Sequence, residues 1–348
     1  MTTELLPKNP RRVLLVMTNH HVGDFVLSLP AMQSLAEYFD APVDAVVDAR
    51  FASVAKLLPS LRDVIPYEQK NRRGSKWKQA AHFTAIAKRL APPRYDLVID
   101  VGGGIQSVTL TTLTMARHRI GLEKSRRSFM YSRRLPQEPI LHQTDRYMPF
   151  MRVIGRERPG RLRLRASAAA TDQIAASLET LFGKIPPRFA VIHSGAGYAF
   201  RQWPGERFAA VADELAQRWN LDTVFIGAPG EEEFLRGIIQ KMKHAGRARP
   251  LIENLENILA LFDRAQILIS NESGPTHLAA TTDIPIVTIF GPSKEAVWRP
   301  VRDTNLTILR GRVCPPECAW GECRHDLACI MDLSVAQVVE AAAKYLTA

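Results

Sequence analysis

The sequence predicts two consecutive α/β domains, each built on a parallel sheet, and three observations carry that reading. Short continuous apolar runs alternate with amphipathic stretches through most of the chain. Unbroken runs mark strands covered on both faces, which is what helices flanking a parallel sheet produce. The alternation restarts after a break at KIPPR (Lys184–Arg188), and 348 residues suit two cores at about 100–200 residues each.

Taken in order, RVLLVM (Arg12–Met17) reads as the first buried strand. Leu27, Ala31, Leu35 and Phe39 then recur at helical spacing, with Pro30 expected to kink the helix or mark a short first turn. Further strands fit Pro42–Val47 and Tyr95–Val101, and the basic stretch QKNRRGSKWK (Gln69–Lys78) reads as a surface loop. An Ala-rich helix follows Arg156–Arg165 and the KIPPR break comes after it, so the domains are expected at 1–184 and 185–332. In the second half, strands fit Phe189–His193, Thr223–Gly227, Gln266–Ser270 and Pro285–Phe290. Helices fit Gly205–Arg218, Glu231–Met242 and Ile258–Phe262, with another from about Pro275. In the last segment, 333–348, Ser334 and Gln337 form a capping box ahead of an apolar face of Val335, Val338, Val339, Ala342 and Leu346.

Composition narrows the function classes. With 46% hydrophobic and 23% charged residues the chain is neither disordered nor of low complexity. No apolar run reaches the roughly 18–20 residues that cross a bilayer, and the polar N-terminus lacks a secretory core, so a cytoplasmic location is expected. Four cysteines confined to Cys314–Cys329 do not make a disulfide scaffold. A net charge of +11 fits nucleic acid, an anionic membrane face or a phosphorylated substrate, and composition does not choose among them.

Polar residues that follow strands are the candidates for chemistry, because open parallel sheets bind ligands beyond the carboxyl ends of their strands. Asp24, in MTNHHVGDFVLSLP, is either a general base or a first-turn carboxylate favoured by the helix dipole. Gly102–Gly104 lacks a phosphate-loop pattern and reads as room for close backbone approach. SGAGYAFRQWP (Ser194–Pro204) offers a small-residue turn at Gly195 and a cation at Arg201, which suits a diphosphate, although an ordinary strand–helix loop fits equally. ISNESGPTHLAA (Ile269–Ala280) is sharper. Ser273 and Gly274 open a helix, Glu272 is suited to sugar hydroxyls, and His277 follows one turn in, although a plain helix start with a core histidine at His277 also fits. Cys314, Cys318, Cys323 and Cys329 have zinc numbers without zinc-knuckle spacing. Basic clusters at Arg72, Arg73, Lys76 and Lys78, at Arg117 and Arg119, and at Arg126, Arg127, Arg133 and Arg134 all fall in the first half and point to an anionic partner.

In this order and spacing, RVLLVMTNHHVGDFVLSLPAMQSL, YDLVIDVGG, HQTDRYMPFM, FAVIHSGAG with RQWPGERFAAVADEL, VFIGAPGEEE and ISNESGPTHLAATTDIPIVTIFGPS resemble glycosyltransferase family 9, the ADP-heptose:lipopolysaccharide heptosyltransferases. The resemblance implies a GT-B fold: two Rossmann-like domains facing a central cleft, the first taking the acceptor, the second the nucleotide-sugar, and the last helix returning to the first domain. It implies an inverting transfer from ADP-heptose to the lipopolysaccharide inner core, without metal or other cofactor, by an enzyme at the cytoplasmic face of the inner membrane. Asp24 falls on the family's proposed base and Arg201 on a lysine that meets the donor phosphates. Ser273, Gly274 and His277 fall on its Asp-Thr/Ser-Gly-x-x-His motif, Asn254 and Leu255 on the adenosine-side loop, and Glu231 near a ribose-binding glutamate. Arg72, Arg73, Lys76, Arg117 and Arg119 would hold the anionic acceptor. Glu272 in place of Asp and Arg201 in place of Lys are departures that bear on the donor sugar. A nucleotide-sugar epimerase on a similar scaffold and a basic nucleic-acid-binding protein are the rival classes, the latter without a standard reader motif.

Overall fold

The computed structural model describes residues 6–7, 9–68, 84–91, 94–137, 139–313, 323 and 325–346. The chain divides into two compact units, Met1–Leu162 and Arg163–Ala348.

In the first unit the apolar runs become strands whose side chains are buried on both faces. The elements are β1 (Val13–Met17), α1 (Val22–Tyr38), β2 (Val43–Asp48), α2 (Ala52–Ala55), β3 (Asp63–Tyr67), α3 (84–90), β4 (Leu97–Asp100), α4 (Ile105–Leu113), β5 (His118–Leu122), β6 (Arg133–Leu135) and α5 (Met148–Val153). The sheet is entirely parallel in the order β3-β2-β1-β4-β5-β6. Leu14, Val16, Val46, Ile65, Val98 and Leu110 pack between sheet and helices. Helix α1 runs through Pro30 as one element.

The second unit repeats the plan: α6 (Ala168–Phe182), β7 (Phe189–His193), α7 (Gly205–Trp219), β8 (Asp222–Gly227), α8 (Glu232–Ile239), β9 (Ala248–Ile252), α9 (Leu255–Phe262), β10 (Ile267–Asn271), α10 (Gly274–Ala279), β11 (Ile286–Ile289), α11 (Glu295–Trp298), β12 (Leu306–Leu309), α12 (Ala328–Met331) and α13 (Val335–Ala343). The parallel order is β12-β11-β10-β7-β8-β9. Each sheet therefore reverses its winding once, between β1 and β4 and between β7 and β10. In doubly wound sheets that reversal opens the crevice where ligands bind.

One boundary differs from that expected. The division falls at Leu162, not near Lys184. Helix α6, capped by Ser167 and closed by the left-handed Gly183, packs on α9 of the second unit, and Ser177 donates to Glu253 across that contact. Helix α13 carries the Ser334–Gln337 capping box. Its apolar residues Val338, Val339 and Ala342 join the second unit's own core beside α7, as the apolar face read from the sequence requires.

Candidate functional site

In the first unit the carboxyl ends of β1, β2 and β4 gather several polar groups. Asp24 is the third residue of α1, half-buried, and His21 is the N-cap without a side-chain bond. The Asp24 carboxylate is thus not a cap, but it stands in the first turn of α1, where the helix dipole favours it. Gln143 Nε2 donates to its Oδ1 at 2.7 Å, and Tyr147 donates its hydroxyl to the Asp24 carbonyl at 3.1 Å. Beside it, Asp48 at the end of β2 holds Arg50 through two bonds of 2.9 and 2.7 Å, and Arg50 Nη2 reaches the His20 carbonyl at 3.1 Å. Burial, with His21 and Arg50 adding to it, lowers the His20 imidazole below its ordinary value.

Asp100, at the end of β4, is fully enclosed. Tyr131 donates to it at 2.6 Å and the Gly103 amide at 2.8 Å, and burial raises its carboxyl to about 6 despite those bonds. Gly103 sits at φ +68°, and a Cβ on Gly102 would lie 3.3 Å from the Thr18 amide nitrogen. The glycines thus serve a tight turn and a close backbone approach. Of the basic residues expected here, Arg117 is exposed, whereas Arg119 donates to the carbonyls of Ala116 and Met130 and so holds a turn. Arg72, Arg73, Lys76 and Lys78 lie outside the described residues.

In the second unit the ends of β7 and β10 sit side by side at the winding reversal. Asn271 ties the two loops together: its Nδ2 donates to the Ser194 carbonyl at 2.7 Å and its Oδ1 accepts from the Trp203 amide at 3.1 Å. Ser273 Oγ lies 3.0 Å from His193 Nδ1, and Ser273 forms the N-cap of α10, with Gly274 and Pro275 opening the helix. Arg201 Nη1 lies 3.4 Å from Glu272 Oε1, and its guanidinium carbon lies 5.3 Å from the Tyr198 ring centroid. Burial raises the Glu272 carboxyl above its ordinary value, while Arg201, the Ser293 hydroxyl and Arg310 pull it back.

The expected residues are therefore largely brought together. A Cβ on Gly195 would lie 3.3 Å from His193 Nε2 and 3.6 Å from Glu231 Oε2, so Glu231 belongs to the same cluster, where it also accepts from the Ala228 amide. His277 is buried inside the unit, one turn into α10. Asn254 and Leu255 begin α9, two strands away from β7 in the sheet order. There the Asn254 side-chain oxygen caps the amides of Glu256 and Asn257, leaving only its NH₂ and backbone for a ligand.

Sequence reading passed over Asn271, His193 and Gln143. The strand-end position of the first two was the available signal, and Gln143 stands in the HQTDRYMPFM segment. Among the described residues no group of three or more His, Cys, Asp or Glu is placed to hold a metal ion. Cys329 is buried, Cys323 accepts from the Leu327 amide, and Cys314 and Cys318 lie outside the described residues. No helix among the described residues is long and apolar enough to cross a membrane.

His193 also supplies a testable pH response. Burial lowers its imidazole from 6.5 to about 4. Between those values the unfolded chain holds the proton and the folded unit does not, so stability is complete above about pH 6.5 and falls as the pH drops towards 4. The loss attributable to this one group is on the order of 3 kcal/mol. Thermal midpoints of the second unit from pH 7 to 4 should fall less steeply in His193→Gln than in the wild type. Asp100 has the opposite sign in the first unit: its raised pKa favours the folded state at low pH, and that advantage is lost as the pH rises through about 6.

Comparison with known proteins follows the same lines. The chain is 22% identical to lipopolysaccharide heptosyltransferase 3 of Escherichia coli over 300 residues, covering 83% of this chain and 86% of that one. A glycosyl transferase family 9 protein from Veillonella parvula superposes with a TM-score of 0.80 at 23% identity, covering 97% of each chain. The E. coli heptosyltransferase WaaC, solved with ADP, gives 0.72 at 22% identity, over 95% of this chain and all of that one. These structures share the GT-B fold of two Rossmann-like units with this chain. The sequence model of glycosyltransferase family 9 (heptosyltransferase) matches residues 83–324. With that match spanning well over half its length, the chain belongs to glycosyltransferase family 9 and is a glycosyltransferase of the heptosyltransferase type.

Proposed function

We propose that the chain transfers heptose from ADP-heptose to a hydroxyl of the lipopolysaccharide inner core, with inversion at the anomeric carbon and without a metal ion. The observation that carries this reading is the set of strand-end loops after β7 and β10 at the winding reversal, where Arg201 pairs with Glu272, Ser273 with His193, and Gly195 lies beside His193 and Glu231. A guanidinium beside amides at a helix start suits a diphosphate. The ADP bound by a structural relative supports the choice of nucleotide.

In this mechanism Asp24 takes the proton of the acceptor hydroxyl as that oxygen attacks the anomeric carbon. The bond from that carbon to the phosphate oxygen breaks, and its electron pair leaves with ADP. Arg201 and the amides of Ser273 and Gly274 meet the charge growing on the departing diphosphate. Such fixed donors are often the largest single contribution to rate. Glu231 and the Asn254–Leu255 turn would hold the nucleoside end, and His277 would support the α10 start. Arg117, with the basic residues Arg72, Arg73 and Lys76, would draw in the anionic acceptor at the cytoplasmic face of the inner membrane.

The test is a transfer assay with ADP-heptose and a heptose-free core acceptor. A product that forms only when acceptor is present, with the opposite anomeric configuration and undiminished by chelator, is the expected result. A new nucleotide-sugar appearing without acceptor would make the protein an epimerase instead. Thermal shift supplies a second check. ADP-heptose at about 100 times its Kd should stabilise the chain by about 2.7 kcal/mol, and UDP- or GDP-sugars should have little effect. A larger shift with either of those would reassign the donor.

A further inference from the structure

Glu272 was expected to accept hydrogen bonds from the donor sugar, but its surroundings fit another task. Its side chain is 5% exposed, and its nearest charged neighbour is the Arg201 guanidinium, itself only 11% exposed. Arg310 adds the influence of a second positive charge, with its Nη2 anchored on the Ser293 carbonyl at 2.7 Å. Arg201 meets the Glu272 carboxylate at one terminal nitrogen and the Tyr198 ring near its face. Two cations and one carboxylate leave an excess of one positive charge, which suits an anionic ligand.

We propose that Glu272 is a positioning residue: it orients Arg201 for the donor diphosphate and does not itself grip the sugar. The inference rests on the reading of Arg201 as the diphosphate cation. Reach supports it. A carboxylate drawn back by one methylene retreats roughly 1.5 Å, and a contact already at 3.4 Å would then exceed ion-pair distance. Glu at 272 and Arg at 201 are therefore matched in length, and the two departures from the family pattern form one feature. Orientation supports it as well. An arginine held before the ligand arrives loses less rotamer freedom on binding, so less of its attraction for the diphosphate is offset.

The experiment is a double-mutant cycle on the full chain, with ADP as the calorimetric probe and sugar transfer as the second readout. Glu272→Gln should weaken ADP about tenfold in the wild-type background, yet by no more than about twofold when Arg201 is already Ala. Glu272→Asp restores the charge without the reach and should stay within about twofold of Glu272→Gln. The proposal is overturned if Glu272→Gln costs as much without Arg201 as with it, if it behaves like the wild type, or if Glu272→Asp is fully active. Should Glu272→Gln fail to fold, Glu272→Asp takes its place in the cycle, and an ADP loss of the same size with and without Arg201 overturns the proposal. Arg201→Ala that binds ADP as tightly as the wild type would instead remove the diphosphate reading on which the inference rests.

Discussion

Replacement of Asp24 by Asn is expected to slow sugar transfer by about 10²–10⁴-fold, the range a positioned general base contributes, while ADP affinity and thermal midpoint stay at wild-type values. The shape of the site supports so clean a separation. An asparagine Oδ1 still accepts from Gln143 Nε2, so the local hydrogen bond survives. The Tyr147 bond goes to the backbone carbonyl and is untouched. Only the capacity to take a proton is removed. Gln143→Leu tests the same arrangement from the other side: it leaves the base chemically intact but unanchored, and misplacement alone costs up to about 10²-fold. Asp24→Asn within threefold of the wild type in single-turnover transfer would place the base elsewhere.

How far the fold could be read from the sequence depended on where each strand lies in its sheet. The central strands β1, β4, β7 and β10 are apolar on both faces and were all legible, with β7 matched residue for residue at Phe189–His193. The outer strands β3 (DVIPY), β5 (HRIGL), β6 (RRL), β9 (ARPLI) and β12 (LTIL) were not recognised. Strands near a sheet edge bury less: charge or proline interrupts the runs of β3, β5, β6 and β9, while β12 is a four-residue run that is only half-buried. The shifted boundary has a similar cause. The KIPPR break is a loop inside the second unit, and only the packing of α6 against α9 reveals to which core that helix belongs.

The site was legible in residue type and less so in partnership. Strand-end positions identified Arg201, Glu272 and Ser273, yet their spacing gave no hint that Glu272 faces Arg201 or that Ser273 faces His193. Such pairings join residues about seventy or more positions apart in sequence. Asp100 makes the same point in the first unit. Its place inside YDLVIDV reads as one more strand residue, and only the enclosed geometry with Tyr131 and Gly103 makes it a buried hub.

Trp203→Ala is expected to cost about 3–5 kcal/mol, the usual range for deleting a large buried aromatic side chain. For a unit of this size that lowers the second unit's midpoint by roughly 6–20 °C. Trp203 is 1% exposed, stacks edge-on against Phe208 with ring centroids 5.0 Å apart, and donates its indole N–H to the Leu333 carbonyl at 3.1 Å. Trp203→Phe separates packing from hydrogen bonding. The Leu333 carbonyl also accepts from Arg207 Nη1 at 2.8 Å, so losing the indole donor leaves no unsatisfied acceptor, and the cost should be only about 1 kcal/mol plus any unfilled volume. The Ala variant should also weaken ADP binding well below its melting temperature. The Trp203 amide anchors Asn271, which in turn holds the Ser194 turn, and Arg201 stands two residues before it. Calorimetry at 15 °C decides between the alternatives. Wild-type ADP affinity in a destabilised Trp203→Ala would mean that the core beneath the loop and the donor site are energetically independent.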